Sequence, residues 1–480
     1  MTDFESLNPR TGEVIAKHEN ASKEAVNSAV ANAAVSFATW GSLKFSERKR
    51  ILLTWKREIS NTSEDFAQLI ALETGKPIGD ARLEVSIAIA HLGWAAKKAE
   101  YYLKEDRRKP GLLMFNMQAE VHRIPYGVVG VIGPWNYPMF TPMGSIAYAL
   151  AAGNTVVFKP SEFTPGVGKM LADSFSKISK YSNVLQTITG IGETGKALCE
   201  SAISKLAFTG STKTAKLVAE TCAKNMTPVL LECGGKDPVL VDKDANIKLA
   251  AEYTIWSAMA NAGQSCIGAE RVYVHEKIAD KFQNAVLDIV KNLEPGASYG
   301  PATMPKQLDI IKRHIADATS AGAKMLFGDV HSVNERIVNP VVMAEVPENC
   351  SAMTEETFGP TIAINTVQSM DEAIALSNAS EYGLGASVFS KRNGYAIAKR
   401  LECGMVGINT AFTFAAIPSV PFGGAKQSGY GRIHGPEGLF EFTYARTFVQ
   451  PKFEIPLRAT SFKRTAAQEK LITKLSKYFS

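Results

Sequence analysis

The run GVVGVIGPWNYPMFTPMGSIAYALAAGNTVVFK, residues 127–159, decides the fold. It opens on a short apolar stretch, GVVGVI (127–132), and closes on another, NTVVFK (154–159), with a helix-like segment at about 143–152 between them. Short apolar runs joined through a helix read as buried parallel strands of a βαβ unit. The rhythm continues downstream. NVLQTIT (183–189), KLAFTG (205–210) and TPVLLE (227–232) are further strand candidates, and about 164–179, 193–201 and 212–224 read as helices. Residues 127–232 therefore predict a five-stranded nucleotide-binding sheet. A second alternating region follows Lys236 and runs to about residue 425, with ERVYVH (270–275) and ASVFS (386–390) as strands and KIADKFQNAVLDIVKNL as a helix. Upstream, residues 22–105 read as helical. Ser22 is placed to cap one helix and Ser46 another, and Leu52, Trp55 and Ile59 form a packing face on the second.

The bulk numbers bound the function. A chain of 480 residues with 45% hydrophobic and 21% charged residues is an ordinary globular composition, long enough for about three domains or lobes. The net charge is +6, and the tail after Pro456 alone carries +5, so the remaining body is close to neutral. That argues against a nucleic-acid-binding body, which would carry a basic stripe. Six cysteines stand at 199, 222, 233, 266, 350 and 403, with no CxxC pair and no zinc-like Cys/His spacing, so no metal site is expected. Sparse cysteines, an N-terminus without a signal-type apolar core and the lack of a long apolar run predict a reduced, cytoplasmic chain without a membrane span. The tail 464–479, RTAAQEKLITKLSKYF, reads as an amphipathic helix with Leu471, Leu475 and Tyr478 on one face. It would lie on the body or a partner subunit, with a membrane surface as the alternative.

TGIGETGKAL (189–198) contains a formal GxGxxG at Gly190, Gly192 and Gly195. A dinucleotide fingerprint also needs a carboxylate about 20 residues on, and none stands there. FTGST (208–212) is the better phosphate turn, because Gly210 permits a close turn and Ser211 opens a helix whose N–H groups are free for a pyrophosphate. KPSE (159–162), at the end of the second strand, offers Lys159 and Glu162 where open α/β sheets bind ligands.

NAGQSCIGAER (261–271) places Cys266 among small residues, an approachable backbone suited to a nucleophile. Taken in order, PWNYP (134–138), KPSE (159–162), FTGS (208–211), ECGGK (232–236), GQSC (263–266), EETFGP (355–360) and PFGGAKQSGYGR (421–432) closely resemble the NAD(P)-dependent aldehyde dehydrogenase superfamily. The resemblance runs from about residue 5 to about 450. It implies an α/β fold with a Rossmann-type cofactor domain (1–105 and 126–232), an α/β catalytic domain (233–430) and a small β oligomerisation arm (106–125 and 440–455). The basic tail 456–480 lies beyond its best-matching part. It also implies a homodimer or homotetramer.

The resemblance matches Cys266 to the nucleophile, Asn136 to the oxyanion donor and Glu232 to the base that activates water for thioester hydrolysis. It matches Lys159 and Glu162 to the adenosine ribose of the cofactor, Trp135 to an indole near the cofactor, Ser161 to the cofactor-binding set, and Gly210 and Ser211 to the pyrophosphate turn. Glu356 matches the nicotinamide-ribose carboxylate and Phe358 its packing partner. Glu162 would accept a ribose 2′-hydroxyl and repel a 2′-phosphate, which favours NAD and leaves NADP possible. Cys233 stands where the family usually has Leu, and Asp237 where it usually has Asn or Ser. The entrance segment TAFTFAAIPSVP (410–421) carries no Arg, Lys or His, so no cation waits there for a remote carboxylate. With Phe412, Phe414, Tyr137, Phe140 and Trp256 it predicts an apolar or aromatic aldehyde, and Gly144 is expected to widen the tunnel. A CoA-acylating aldehyde dehydrogenase and a Cys-dependent ester or thioester hydrolase are the competing readings. The first lacks the water-activating glutamate and the second leaves the nucleotide residues without a use.

Overall fold

A computed structural model of the chain describes residues 3–455 and 461–478. It divides into two compact units, Met1–Tyr102 with Pro125–Thr443, and Leu103–Ile124 with Tyr444–Ser480.

The helices that open the first unit run over Lys23–Trp40, Phe45–Asn61, Ser63–Thr74 and Ile78–Leu103. Ser22 caps the first as expected, accepting from the amide of Ala25. Ser46 does not cap the second. Glu47 takes the amide of Lys44 instead, so the helix begins a residue before Ser46. Leu52, Trp55 and Ile59 are fully buried, and the Trp55 indole donates to Ser174 Oγ at 2.8 Å.

The first sheet has six strands in the order 429–430, 229–232, 205–209, 128–132, 155–159, 185–187. The five from 128 to 232 are parallel. The sixth, Gly429–Tyr430, lies antiparallel to Leu231 and Glu232. Two residues in a glycine-rich loop carry no strand periodicity, so this edge is not predictable from the sequence. It matters because it brings the 421–432 loop alongside Glu232. The intervening helices, Phe140–Ala152, Pro165–Ile178, Gly192–Glu200 and Thr212–Ala223, fall within a few residues of expectation.

The second sheet has seven strands in the order 324–327, 341–344, 361–367, 269–275, 237–241, 385–389, 405–408. All are parallel except the 324–327 edge. Val239, Val241, Val272, Val274, Ile362 and Ile364 form its core with Phe282 and Val286 of the covering helix. The chain thus has the α/β architecture of two largely parallel sheets that the sequence implied.

The second unit contains a three-stranded sheet in the order 443–451, 117–125, 106–108, the last two antiparallel, and the helix Ala466–Tyr478. Leu471 is exposed and Leu475 half-buried, while the side chain of Tyr478 lies outside the described residues. Among the described residues no helix is long and apolar enough to cross a membrane.

Candidate active site

Cys266 follows a tight loop at the end of helix Ile247–Met259. Asn261, Ala262 and Gly263 all have left-handed backbones, with φ of 53°, 57° and 72°. A Cβ on Gly263 would lie 2.1 Å from the carbonyl oxygen of Gly359, so only glycine lets the two loops touch. Three hydrogen bonds to carbonyls hold the loop just before the thiol. Asn136 Nδ2 donates to the Gln264 carbonyl at 2.9 Å, Asn261 Nδ2 donates to the same oxygen at 3.3 Å, and Gln264 Nε2 donates back to the Asn261 carbonyl at 2.8 Å. The Asn136 amide is thereby tethered two residues before the thiol. The backbone carbonyl of Asn136 accepts from Lys76 Nζ at 2.8 Å, and that fully buried lysine pairs with Glu84 at 2.7 Å.

Glu232 ends the strand 229–232 and is 2% exposed. Its backbone carbonyl accepts from the amide of Gly210, but both carboxyl oxygens are buried without a partner. Burial pushes this carboxyl well above the usual range, with Arg432 pulling it down and Glu441 pushing it further up. Burial also raises the Cys266 thiol, with Glu356, Asp237 and Glu232 acting in the same direction to the extent that they ionise. Both groups therefore rest neutral. They line one cavity of about 580 Å³, the size of a small-molecule site.

The residues matched to the cofactor gather at the C-terminal ends of the first sheet. Lys159 is buried, which lowers its pKa. Its Nζ donates to the Pro160 carbonyl at 2.9 Å and stands 3.9 Å from Glu162. Ser161 Oγ lies 3.4 Å from the Glu162 carboxylate. Gly210 precedes the helix Thr212–Ala223, whose N-cap, Ser211, accepts from the amide of Thr214. The Trp135 indole meets the Phe358 ring edge-on at 5.6 Å. Glu356 accepts from the Gly235 amide at 3.1 Å, and burial raises its carboxyl to about 8. By contrast, the turn at Gly190 is closed by protein groups: Asn20 Oδ1 takes the amide of Ile191 and the hydroxyl of Thr194. The formal GxGxxG is thus a packing turn.

The seven-motif order and this geometry coincide with a known family. The sequence model of the aldehyde dehydrogenase family matches residues 1–448. The chain belongs to the aldehyde dehydrogenase family. It is 32% identical over 475 residues to the 4,4'-diapolycopene aldehyde oxidase of a Methylomonas species, covering 97% of this chain and 89% of the relative. It is 34% identical to the glutarate-semialdehyde dehydrogenase of Pseudomonas putida, covering 91% of this chain and 92% of that one. The crystal structure of an NAD-dependent aldehyde dehydrogenase from Sinorhizobium meliloti superposes with a TM-score of 0.91 at 31% identity, covering 96% of this chain and 93% of that chain. Relatives described as NADP-dependent also occur.

Several sequence expectations change at the cavity of this aldehyde dehydrogenase. Tyr137, Phe140, Trp256 and Phe412 line it, with Trp256 and Phe412 edge-on at 5.0 Å. Trp256 is 46% exposed, which puts this pair at the mouth. Phe414 is not part of the lining; its ring packs beside Gly385 in the second sheet. Gly144 does not widen the tunnel. The space above its Cα is filled, since a Cβ there would meet His434 Nε2 at 2.5 Å and Ile433 Cδ1 at 2.9 Å. Cys233 is buried and lines the cavity while packing into the first-sheet core, and burial raises its thiol to about 12. No Lys or Arg lines the cavity among the described residues, whereas Asp80, Glu84, Glu232 and Glu252 do, Glu84 being paired with the buried Lys76.

Sequence reasoning also missed the support under Glu356 and Phe358. Glu270 accepts from the amides of Thr357, at 2.8 Å, and Phe358, at 3.0 Å, and pairs with the buried Lys236. Lys236 Nζ also donates to Thr357 Oγ1 at 3.1 Å. The lysine of ECGGK was visible as a motif letter, but its partner lies 34 residues on with no spacing signal.

Proposed function

We propose that the chain oxidises an apolar or aromatic aldehyde to the carboxylic acid with NAD(P)+. The observation that carries this reading is the shared cavity of Cys266 and the partnerless Glu232 carboxyl, with Asn136 tethered to the Gln264 carbonyl two residues before the thiol. Cys266 passes its proton to water and its thiolate Sγ adds to the carbonyl carbon. The resulting alkoxide takes hydrogen bonds from the free N–H of Asn136 and from the Cys266 amide. Bound NAD(P)+ supplies the oxidising power by taking up the hydride that this carbon gives up. The thioester left on Cys266 is attacked by water, whose proton passes to ionised Glu232, and the acid departs as the thiol re-forms. Because Glu232 and Cys266 both rest neutral, turnover rises with pH as each ionises.

The cofactor residues suit a dinucleotide. Lys159 Nζ carries three N–H groups with one carbonyl acceptor, leaving donors for ribose hydroxyls beside the Glu162 acceptor. The preference for NAD over NADP rests on Glu162, a negative charge where a 2′-phosphate would sit. The preference for an apolar aldehyde rests on the aromatic lining and the lack of lining cations. We further propose that exposed edges such as 443–451 pair between copies as a homodimer or homotetramer, and that the enzyme works in the cytoplasm.

The experiment is absorbance at 340 nm with NAD+ or NADP+ and a panel of aliphatic, aromatic and carboxylated aldehydes, with and without CoA. NADH formation without CoA, lost in Cys266→Ala, is the expected result. Signal only with CoA would transfer the chain to the acylating reading, and a tenfold preference for succinic semialdehyde over benzaldehyde and octanal would overturn the substrate class.

A further inference from the structure

The second unit, residues 103–124 and 444–480, carries an apolar tip that its own fold leaves uncovered. Gly111, at φ 78°, turns the chain out into a single helical turn, Leu112–Met114. Leu112, Leu113, Met114 and Phe115 are consecutive, and they are 63%, 58%, 44% and 52% exposed. An unbroken run of exposed apolar side chains is a liability on a water-facing surface and is kept where it has a use. The turn is held in place. The backbone carbonyl of Asn116 accepts from the Lys452 amide at 2.8 Å, and Asn116 Nδ2 donates to the Phe453 carbonyl at 3.3 Å. The Phe453 ring, itself 51% exposed, lies 5.8 Å from the Phe115 ring. The patch is a built tip, not a frayed end.

Positive charge collects in the same unit. Its sequence holds 13 Lys and Arg against 5 Asp and Glu, a balance of +8, whereas the whole chain carries +6, so the first unit is slightly negative. Lys109 and Lys452, which flank the tip, are both exposed. In the helix Ala466–Tyr478, Gln468, Ile472 and Leu475 are half-buried, while Lys470, Leu471 and Lys474 are exposed. Lys463 and Arg464, just before it, are exposed as well. Two copies brought face to face on this tip would set Lys109 and Lys452 against themselves, and like charges oppose that. An anionic lipid surface suits both features, because it offers an apolar layer to the tip and negative headgroups to the lysines.

We propose that the 112–115 turn docks the protein on an anionic membrane surface, its apolar side chains entering the headgroup–acyl boundary while Lys109, Lys452 and the basic tail meet the headgroups. The contact is peripheral, since among the described residues no helix is long and apolar enough to cross a membrane. One turn buries too little apolar surface to hold the chain alone, so the tip and the charges act together. Binding is therefore reversible and falls as salt screens the charges. The proposal does not depend on the aldehyde-oxidising reading, and neither fails with the other.

The test is flotation of the full-length protein with vesicles of phosphatidylcholine, alone or with about one-third phosphatidylglycerol. The parent protein is expected to float with the anionic vesicles, to stay behind with the neutral ones, and to be released as salt rises from about 0.1 M to about 0.5 M. Leu112→Ser combined with Leu113→Ser is expected to weaken binding to anionic vesicles by at least about tenfold, because two leucines no longer leave water. Lys470→Ala and Lys474→Ala are expected to weaken it by about fivefold each. All four positions are exposed, so Tm stays within about 2 °C of the parent. Phe115→Trp reads insertion directly: measured against the parent, its emission shifts to the blue on anionic vesicles and is quenched by brominated acyl chains. A parent protein that stays behind with anionic vesicles overturns the proposal without any variant having to fold. So does binding that the leucine pair leaves unchanged, or equal binding to neutral vesicles. A leucine variant that loses a dimer or larger assembly, from a parent that binds no vesicles, gives the tip to a second copy and overturns it too.

Discussion

Replacing Asn136 by Ala separates the site's chemistry from its scaffolding. The Asn136 amide has two N–H groups, and the Gln264 carbonyl takes one at 2.9 Å. The other is the one the proposed mechanism assigns to the developing alkoxide. Losing one such donor costs about 3–4 kcal/mol of transition-state stabilisation, or roughly 10²–10³ in kcat. The structural loss is smaller. The Gln264 carbonyl is not orphaned, because Asn261 Nδ2 still reaches it at 3.3 Å. Lys76 Nζ and Asn261 Nδ2 hold the backbone carbonyl of residue 136, which the substitution leaves in place. The stability cost is therefore that of one hydrogen bond, about 1 kcal/mol, and a Tm change of about 3 °C at most. Since the donor acts on the alkoxide and not on the aldehyde, kcat falls and KM stays within about threefold. The assay is initial NADH formation at 340 nm across aldehyde concentration, beside a thermal melt. A kcat within fivefold of the parent, or a loss of activity matched by a large drop in Tm, would refute the assignment of Asn136 as an oxyanion donor.

Gly263→Ala should be among the most damaging single changes, since it forces a methyl to 2.1 Å from Gly359 O at a φ of 72°; a soluble, fully active variant would show that the Cys266 loop is not held as described. Burial raises Asp237 to about 8, above its unfolded value of about 4. Its neutral form therefore adds stability that is complete below about pH 4 and is lost as pH rises towards 8. Asp237→Asn, which keeps an acceptor for the Gly385 amide, should flatten the fall of Tm between pH 5 and pH 9, and an unchanged pH profile would count against the buried neutral carboxyl. Glu162→Gln should raise the NADP-to-NAD ratio of kcat/KM by about tenfold, because it removes a like charge from the 2′-phosphate position; an unchanged ratio would place cofactor selection elsewhere.

Much of this site is visible in one dimension because its parts lie at strand ends. Val128–Ile132, Thr155–Lys159 and Lys205–Thr209 are apolar runs broken by loop residues, and Asn136, Glu162, Gly210 and Ser211 fall in those breaks. What was not legible depends on long-range pairing. The Gly429–Tyr430 edge strand exists only because Glu232 is there to pair with it. The N-terminus of helix Phe45–Asn61 was decided by the reach of Glu47, where Ser46 looked the better cap. Gly144 reads as empty space until the His434 ring fills it, and Phe414 reads as cavity wall until it packs beside Gly385. Lys76 and Glu84 look like surface charges on helical segments, yet they form a buried pair under Asn136. A burial of that kind depends on which helix covers which loop, and no local pattern encodes it.

The central claim is that Cys266 carries an acyl group which Glu232 clears with water. The most direct measurement is Glu232→Gln mixed with NAD+ and saturating aromatic aldehyde, tracked by NADH absorbance and by mass analysis of the peptide containing Cys266. The account predicts a burst of about one NADH per active site, steady turnover reduced by roughly 10²–10⁴, and the acyl mass on Cys266. Turnover at the parent rate with no adduct, or an adduct on Cys233 instead, would contradict it.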